Sequence, residues 1–153
     1  MHFYPTDKAS LLTSVTLRQL QYWRERDIVV PVIDEAGRGR SVYYSYENLL
    51  ELMVFRYLLR QDITFIRARR TLEDIRRWGE GSLGKTGVNR FLLTRVEGDS
   101  SLRVVPWTEY SLEAAIRGER LIVFISLEGL EHALRTRMAK YKLDMPPAIF
   151  LFS

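Results

Sequence analysis

The stretch from Ser14 to Leu52, SVTLRQLQYWRERDIVVPVIDEAGRGRSVYYSYENLLEL, constrains this chain more than any other. Read in order it is a short helix, a strand, a Gly/Arg turn, a second strand and another helix. Between Val15 and Trp23 the apolar residues fall at Val15, Leu20 and Trp23. That spacing leaves Thr16, Arg18, Gln19, Gln21 and Tyr22 to point outward. A helix with a narrow buried side and an outward face of hydrogen-bonding side chains has what a major-groove reader needs.

The flanking residues extend this unit. Thr6 or Asp7 is placed to cap a first helix through about Leu12, with Ala9 and Leu12 on its apolar side, and Thr13 to Val15 make a turn. Thr16 then caps the second helix, which runs to about Arg26 with Leu20 and Trp23 inward. Ile28 to Ile33 is rich in β-branched residues and carries Pro31, which removes an amide donor and favours an edge strand. Asp34 to Arg40 form a loop, and Ser41 to Tyr44 return as the second strand, giving a two-stranded wing. Ser45 caps a third helix to Arg60 that is apolar almost all round and must be buried on most sides. A fourth helix, about Thr64 to Trp78, places Ala68, Leu72 and Ile75 on one stripe and Arg67, Arg70, Arg76 and Arg77 largely elsewhere. Gly79 stops it.

Composition narrows the function classes. At 153 residues, 46% hydrophobic and 27% charged, the chain can bury a core as one domain or as two small ones. Without cysteine there is no disulfide, thiolate metal site or cysteine nucleophile, and two histidines do not make a dedicated zinc site. The apolar runs Leu121 to Ile125 and Ala148 to Phe152 are too short to span a bilayer, so a cytoplasmic protein with no membrane contact is expected. The net charge of +4 suits a polyanionic partner, and the placement of the arginines matters more than their number.

The succession SVTLRQLQYWRERDIV, VPVIDEAGRGRSVYYSYENLLEL and RYLLRQDITFIRARRTLEDI resembles, in order and spacing, the DNA-binding domain of the MerR (mercury-resistance regulator) family. The resemblance covers the amino-terminal half. It implies a winged helix-turn-helix that binds double-stranded DNA, commonly as a two-fold dimer. Two positions depart from the family pattern. Where it usually shows Leu-Arg-Tyr-Tyr, this chain has Leu20, Gln21, Tyr22 and Trp23, and where the wing usually carries an arginine two residues before its tyrosine, this chain has Val42 before Tyr44. Arg40 lies on the same strand face and is placed to take that role. Thr16, Arg18 and Gln19 are then the expected base readers. Gln21, Tyr22, Arg24, Arg38, Arg40 and Tyr44 complete the expected DNA-binding set, with Tyr22, Arg24, Arg38 and Arg40 as phosphate clamps that position without reading sequence. Arg67 and Arg70 sit on a charged helix face that ordinarily faces solvent. Trp23 belongs to the core.

Residues 79–86 read GEGSLGKT and fit the phosphate-loop pattern G-x-x-x-x-G-K-[ST]. That chemistry needs a buried strand before the loop and a helix after it. Here a helical, arginine-bearing segment precedes and an alternating strand-like segment follows, so the stretch reads as a glycine-rich linker over residues 79–89.

Residues 90–153 read as a small α/β domain with a mostly antiparallel sheet. Arg90 to Val96 and Ser101 to Val105 flank the hairpin signature Glu97-Gly98-Asp99-Ser100, and Pro106 ends the second strand. Ser111 to Arg117 is a short helix closed by Gly118. The strand Leu121 to Ile125 leads to a helix capped at Ser126, with Leu127, Leu130, Leu134, Met138 and Tyr141 inward and Glu128, Glu131, Arg135 and Arg137 facing water. The tail AIFLF is expected to add to a sheet, and an effector pocket near Trp107 and Tyr110 is weighed against packing.

The expected fold is therefore α+β: a winged helix-turn-helix domain over residues 1–78, with four helices and a two-stranded wing, a linker, and the small domain over residues 90–153. The expected function is sequence-specific regulation of transcription by a homodimer. The alternative is an antitoxin-like or adaptor protein whose residues 90–153 hold a protein partner while the first half represses its own operon. No cofactor is expected, and no paired carboxylates, nucleophile-base set or metal constellation points to an enzyme.

Overall fold

The computed structural model describes residues 2–34, 42–81, 83, 88–96 and 101–150. Within them the chain is α+β, with six helices and two antiparallel three-stranded sheets. Arg38 and Arg40 of the expected wing, the expected hairpin signature at 97–100, residues 84–87 of the glycine-rich stretch and residues 151–153 lie outside the described residues.

The first half is built by its caps. Helix α1 (Thr6–Thr13) follows strand β1 (Phe3–Pro5), and Pro5 holds the N-cap position, so neither Thr6 nor Asp7 caps it; both lie within the helix, where Pro5 has already set the extended entry. Ser14 takes a left-handed conformation (φ 64°) and its amide closes α1 on the Ser10 carbonyl. Helix α2 (Leu17–Glu25) starts at Thr16, whose hydroxyl accepts from the Gln19 amide (3.1 Å) while the Gln19 side chain accepts from the Thr16 amide (3.0 Å). This reciprocal capping box satisfies two amides that the helix itself leaves unpaired. Ser45 and Asn48 repeat the device at the start of α3 (Tyr46–Arg60).

The strand expected over Ile28 to Ile33 is shorter. Asp27 turns the chain in the left-handed region (φ 54°), Ile28 and Val29 enter the core, and strand β2 (Ile33–Asp34) begins only after Pro31. Strand β3 (Val42–Ser45) pairs with β2 on one edge and with β1 on the other. The sheet thus has the order β1-β3-β2, and β1 is a strand that the sequence pattern did not disclose. Helix α4 (Phe65–Trp78), capped by Thr64 and ended at Gly79, buries Ala68, Thr71, Leu72 and Ile75. Arg76, expected outward, turns in: it pairs with Glu51 and donates to the Ile28 carbonyl at 2.9 Å. Burial raises the Glu51 carboxyl above its usual range, and the Arg76 charge opposes that rise.

In the second half, β4 (Arg90–Val96) is the centre of a sheet of order β5-β4-β6, with β5 (Leu102–Pro106) and β6 (Glu119–Ser126) on its edges. Helix α5 (Glu109–Arg117) begins two residues before the expected Ser111, because Thr108 is its N-cap and Ser111 is the partner in the capping box. Helix α6 (Leu127–Lys140) is capped by Ser126 as expected. Among the described residues no helix is long and apolar enough to cross a membrane.

One cluster of buried side chains runs through both halves, from Tyr4 and Leu12 through α3 to Phe91, Ile125, Leu134, Met138 and Phe150. The glycine-rich stretch contributes to it: Leu83 is buried, and its amide donates to Glu47 at 3.0 Å. Helix α6 packs on α3 and on α1, and three of its charged residues, expected in water, make that contact. Arg137 donates to the Leu12 carbonyl (2.9 Å) and Arg135 to the Pro146 carbonyl (2.6 Å). Glu131 is 0% exposed, accepting from the Tyr46 hydroxyl (2.8 Å) and from the amides of Ile149 (2.7 Å) and Phe150 (2.6 Å). Tyr141, expected inward, is exposed instead. Residues 148–150 of the tail form no strand; Phe150 is a buried plug held by Glu131.

Glu131→Ala leaves two amides and a hydroxyl in the interior without their acceptor and is expected to destabilise the fold by about 3–5 kcal/mol. Tyr46→Phe deletes one hydrogen bond and is expected to cost about 1 kcal/mol. Urea unfolding measures both, and a Glu131→Ala loss no larger than that of Tyr46→Phe would show that the carboxylate does not hold the junction.

Candidate nucleic-acid interface

The candidate surface is the outward side of α2, and its position depends on the inward side. Leu20 and Trp23 are buried, and Trp23 meets Phe55 of α3 edge-on, with ring centroids 4.8 Å apart. Phe55 in turn meets Phe65 at 5.2 Å, and Phe65 meets Tyr22 at 5.6 Å. This aromatic chain ties α2 to α3 and to the first turn of α4, with each pair contributing about 0.5–1.5 kcal/mol beyond area burial.

What remains outside is a row of polar side chains on a helix of fixed orientation. Thr16, Arg18, Gln21 and Tyr22 are exposed. Arg18 has no carboxylate partner among the described residues. Gln19 is half-buried, and its side-chain oxygen is occupied by the Thr16 amide, so its amide NH2 is the part left for other contacts. Gln21 donates to Glu25 at 3.3 Å. Tyr22 has its ring edge on Phe65 and the Arg26 guanidinium 3.6 Å above its centroid. Arg26 is thus part of this surface and absent from the sequence reading, although its i, i+4 spacing from Tyr22 was a usable signal.

Two expected contacts are placed elsewhere. Arg24 is half-buried and lies 3.9 Å from Asp34, a contact that joins α2 to strand β2. Tyr44 is 0% exposed, and its hydroxyl has no hydrogen-bond partner among the described residues. Burial raises its pKa, the Arg24 charge lowers it and the Asp34 charge raises it. In this conformation Tyr44 is a core residue, and the reason is alternation: Val42 and Tyr44 share the inner face of β3, while Tyr43 faces partly outward. The same alternation accounts for Val42, which is buried where an arginine was expected.

Arg67 and Arg70 on α4 are not engaged in ion pairs among the described residues, unlike Arg69 with Glu73 and Arg77 with Asp74. In the second half Trp107 lines a cleft of about 450 Å³ with Arg90, Thr108 and Glu128, whereas Tyr110 stands outside it. Helix α4 precedes the GEGSLGKT stretch and β4 follows it, the reverse of the strand-loop-helix order that a phosphate loop requires. Among the described residues no group of three or more His, Asp or Glu is arranged to hold a metal ion.

Comparison with known proteins matches residues 4–75 to the family described as MerR HTH family regulatory protein. An HTH-type transcriptional regulator of Mycobacterium bovis is 32% identical over 77 residues, and HTH-type transcriptional regulators from two strains of Mycobacterium tuberculosis match to the same extent. Each alignment covers 50% of this chain and 34% of the relative, so the chain matches about a third of the length of these relatives. The matched region is the unit assembled by α1 to α4 and the first sheet: residues 4–75 of this chain match the MerR HTH family of regulatory proteins.

Proposed function

We propose that the protein is a sequence-specific, double-stranded DNA-binding transcriptional regulator whose α2 enters the major groove and whose wing rests on the backbone. The observation that carries this reading is the amino-terminal half of α2, where exposed Thr16, Arg18 and Gln21 project from a helix locked by the capping box and by Trp23. Arg18 reads a base edge; Tyr22 and Arg26, stacked on each other, and Gln21 meet the sugar-phosphate backbone. Arg38 and Arg40 supply the wing contacts, an assignment that rests on sequence.

The second half serves as the dimerisation unit. Tyr110 and Ile116 on α5 are 85% and 77% exposed, and Trp107 and Phe124 are also exposed, apolar side chains whose burial against a second copy is favourable. Covering the same surface with a different protein is the adaptor-like alternative. It predicts a monomer that gains mass only with its partner.

Selection from a random duplex library is expected to return a defined pseudo-palindromic site. Arg18→Ala is expected to weaken binding to that site by about 1–3 kcal/mol with little effect on unrelated duplexes. Equal affinity of wild type and Arg18→Ala for the selected site would remove α2 from the groove. Arg38→Ala with Arg40→Ala is expected to lower the slope of log K against log salt by about 1.8, and an unchanged slope would reject the wing contact. For the dimer, sedimentation at tens of micromolar should give twice the chain mass, reduced to one chain by Tyr110→Glu with Ile116→Glu; a wild-type monomer with and without DNA rejects it.

A further inference from the structure

We propose that Arg56, Arg60 and Arg137 form a second phosphate clamp for duplex DNA, built jointly by the two halves of the chain. This rests on the reading that the protein binds DNA. Arg56 and Arg60 stand four residues apart on α3 and so share one helix face. Helix α6 packs against α3 and α1, and Arg137 on α6 anchors one guanidinium nitrogen on the Leu12 carbonyl at 2.9 Å. Burial first, and then the like charges of Arg60 and Arg137, lower the Arg56 pKa, as expected where α6 packs on α3.

Among the described residues none of the three is paired with a carboxylate, although Arg24, Arg69, Arg76, Arg77, Arg90 and Arg117 all are. A cluster of guanidinium groups without a counter-charge repels itself, and an anion drawn from outside removes that cost. The position selects the anion. Leu12 lies in the last turn of α1, directly before the Ser14 turn that leads into α2. Arg60 ends α3, and the chain then turns into α4, whose Phe65 touches Tyr22 of α2. The cluster therefore borders the helix-turn-helix at both ends of its support. Duplex DNA, with one negative charge per about 1.7 Å of axis, is the polyanion that the DNA-binding reading brings to the helix-turn-helix.

Arg137 belongs to the half outside the family match, so its presence in the clamp makes DNA affinity depend directly on how α6 is docked. Arg137 also satisfies the end of α1, a structural task that Arg56 and Arg60 do not share. The decisive variant is therefore Arg56→Gln with Arg60→Gln, which leaves the Arg137 to Leu12 bond in place.

Equilibrium binding by fluorescence anisotropy, over a series of salt concentrations, is read for the selected site and for an unrelated duplex. The double variant is expected to lower the slope of log K against log salt by about 1.8 and to weaken both duplexes by the same factor, since phosphates carry no sequence information. Arg60→Glu should weaken both further, and thermal melts should show the variants folded. A wild type that binds DNA, with a double variant of unchanged slope and affinity, overturns the clamp while leaving the DNA-binding reading intact. A loss confined to the selected site also overturns it, because that pattern belongs to base readout. A wild type that binds no duplex overturns the clamp together with the reading beneath it.

Discussion

The buried Glu131 carboxylate is the interaction on which the relation between the two halves depends. Moving an ionised carboxylate into the interior costs several kcal/mol, and the folded chain offsets this only by surrounding it with donors. Those donors come from two distant places: the Tyr46 hydroxyl at the start of α3, and the backbone amides of Ile149 and Phe150 in the tail. Arg135 closes the arrangement by donating to the Tyr46 hydroxyl at 3.3 Å and to the Pro146 carbonyl. Tyr46 directly follows Ser45, which both ends the wing strand β3 and caps α3. One charged group thus fixes the tail, the last helix and the junction between wing and α3. An apolar residue at 131 would bury more cheaply but would leave the tail amides unanswered.

The aromatic chain Tyr22, Phe65, Phe55, Trp23 does for α2 what Glu131 does for α6. Edge-to-face contacts are directional, so they fix the rotation of the helix about its own axis as well as its distance from the core. Rotation decides which side chains face outward, and the capping box at Thr16 holds the first turn from the other end.

Local signals made most of this legible. The caps at Thr16, Ser45 and Ser126, the stop at Gly79 and the buried positions of α2, α3 and α4 all follow from residue type and spacing, and each is present. What escaped was non-local. Strand β1 is three residues long and exists because β3 offers it a partner, which no window of sequence around Phe3 encodes. Glu131, Arg135 and Arg137 look like a solvated helix face because helical spacing reports amphipathicity and not which neighbour arrives; their partners lie between 11 and 125 residues away. Tyr44, expected among the DNA contacts, is buried in this structure for a related reason: strand alternation identifies two faces, and packing decides which of them is inside.

The arginines show how such packing redistributes a nearly uniform charge. Arg24 and Arg76 occupy helix positions that sequence alone would leave in water, yet one contacts Asp34 of β2 and the other joins α4 to Glu51 and Ile28. Gln21 and Val42 stand where the family pattern has arginine, so the α2 and β3 surfaces carry less positive charge than the pattern implies. Along α2 the cations left outward are Arg18 and Arg26, and Arg26 lies over the Tyr22 ring. Attraction to a polyanion scales with the number of phosphates neutralised, whereas discrimination needs only a few well-aimed donors. A helix with few cations can therefore still discriminate when other elements supply the attraction. The arginines of α3, α4 and α6 that have no carboxylate partner among the described residues are the cations available for such a task.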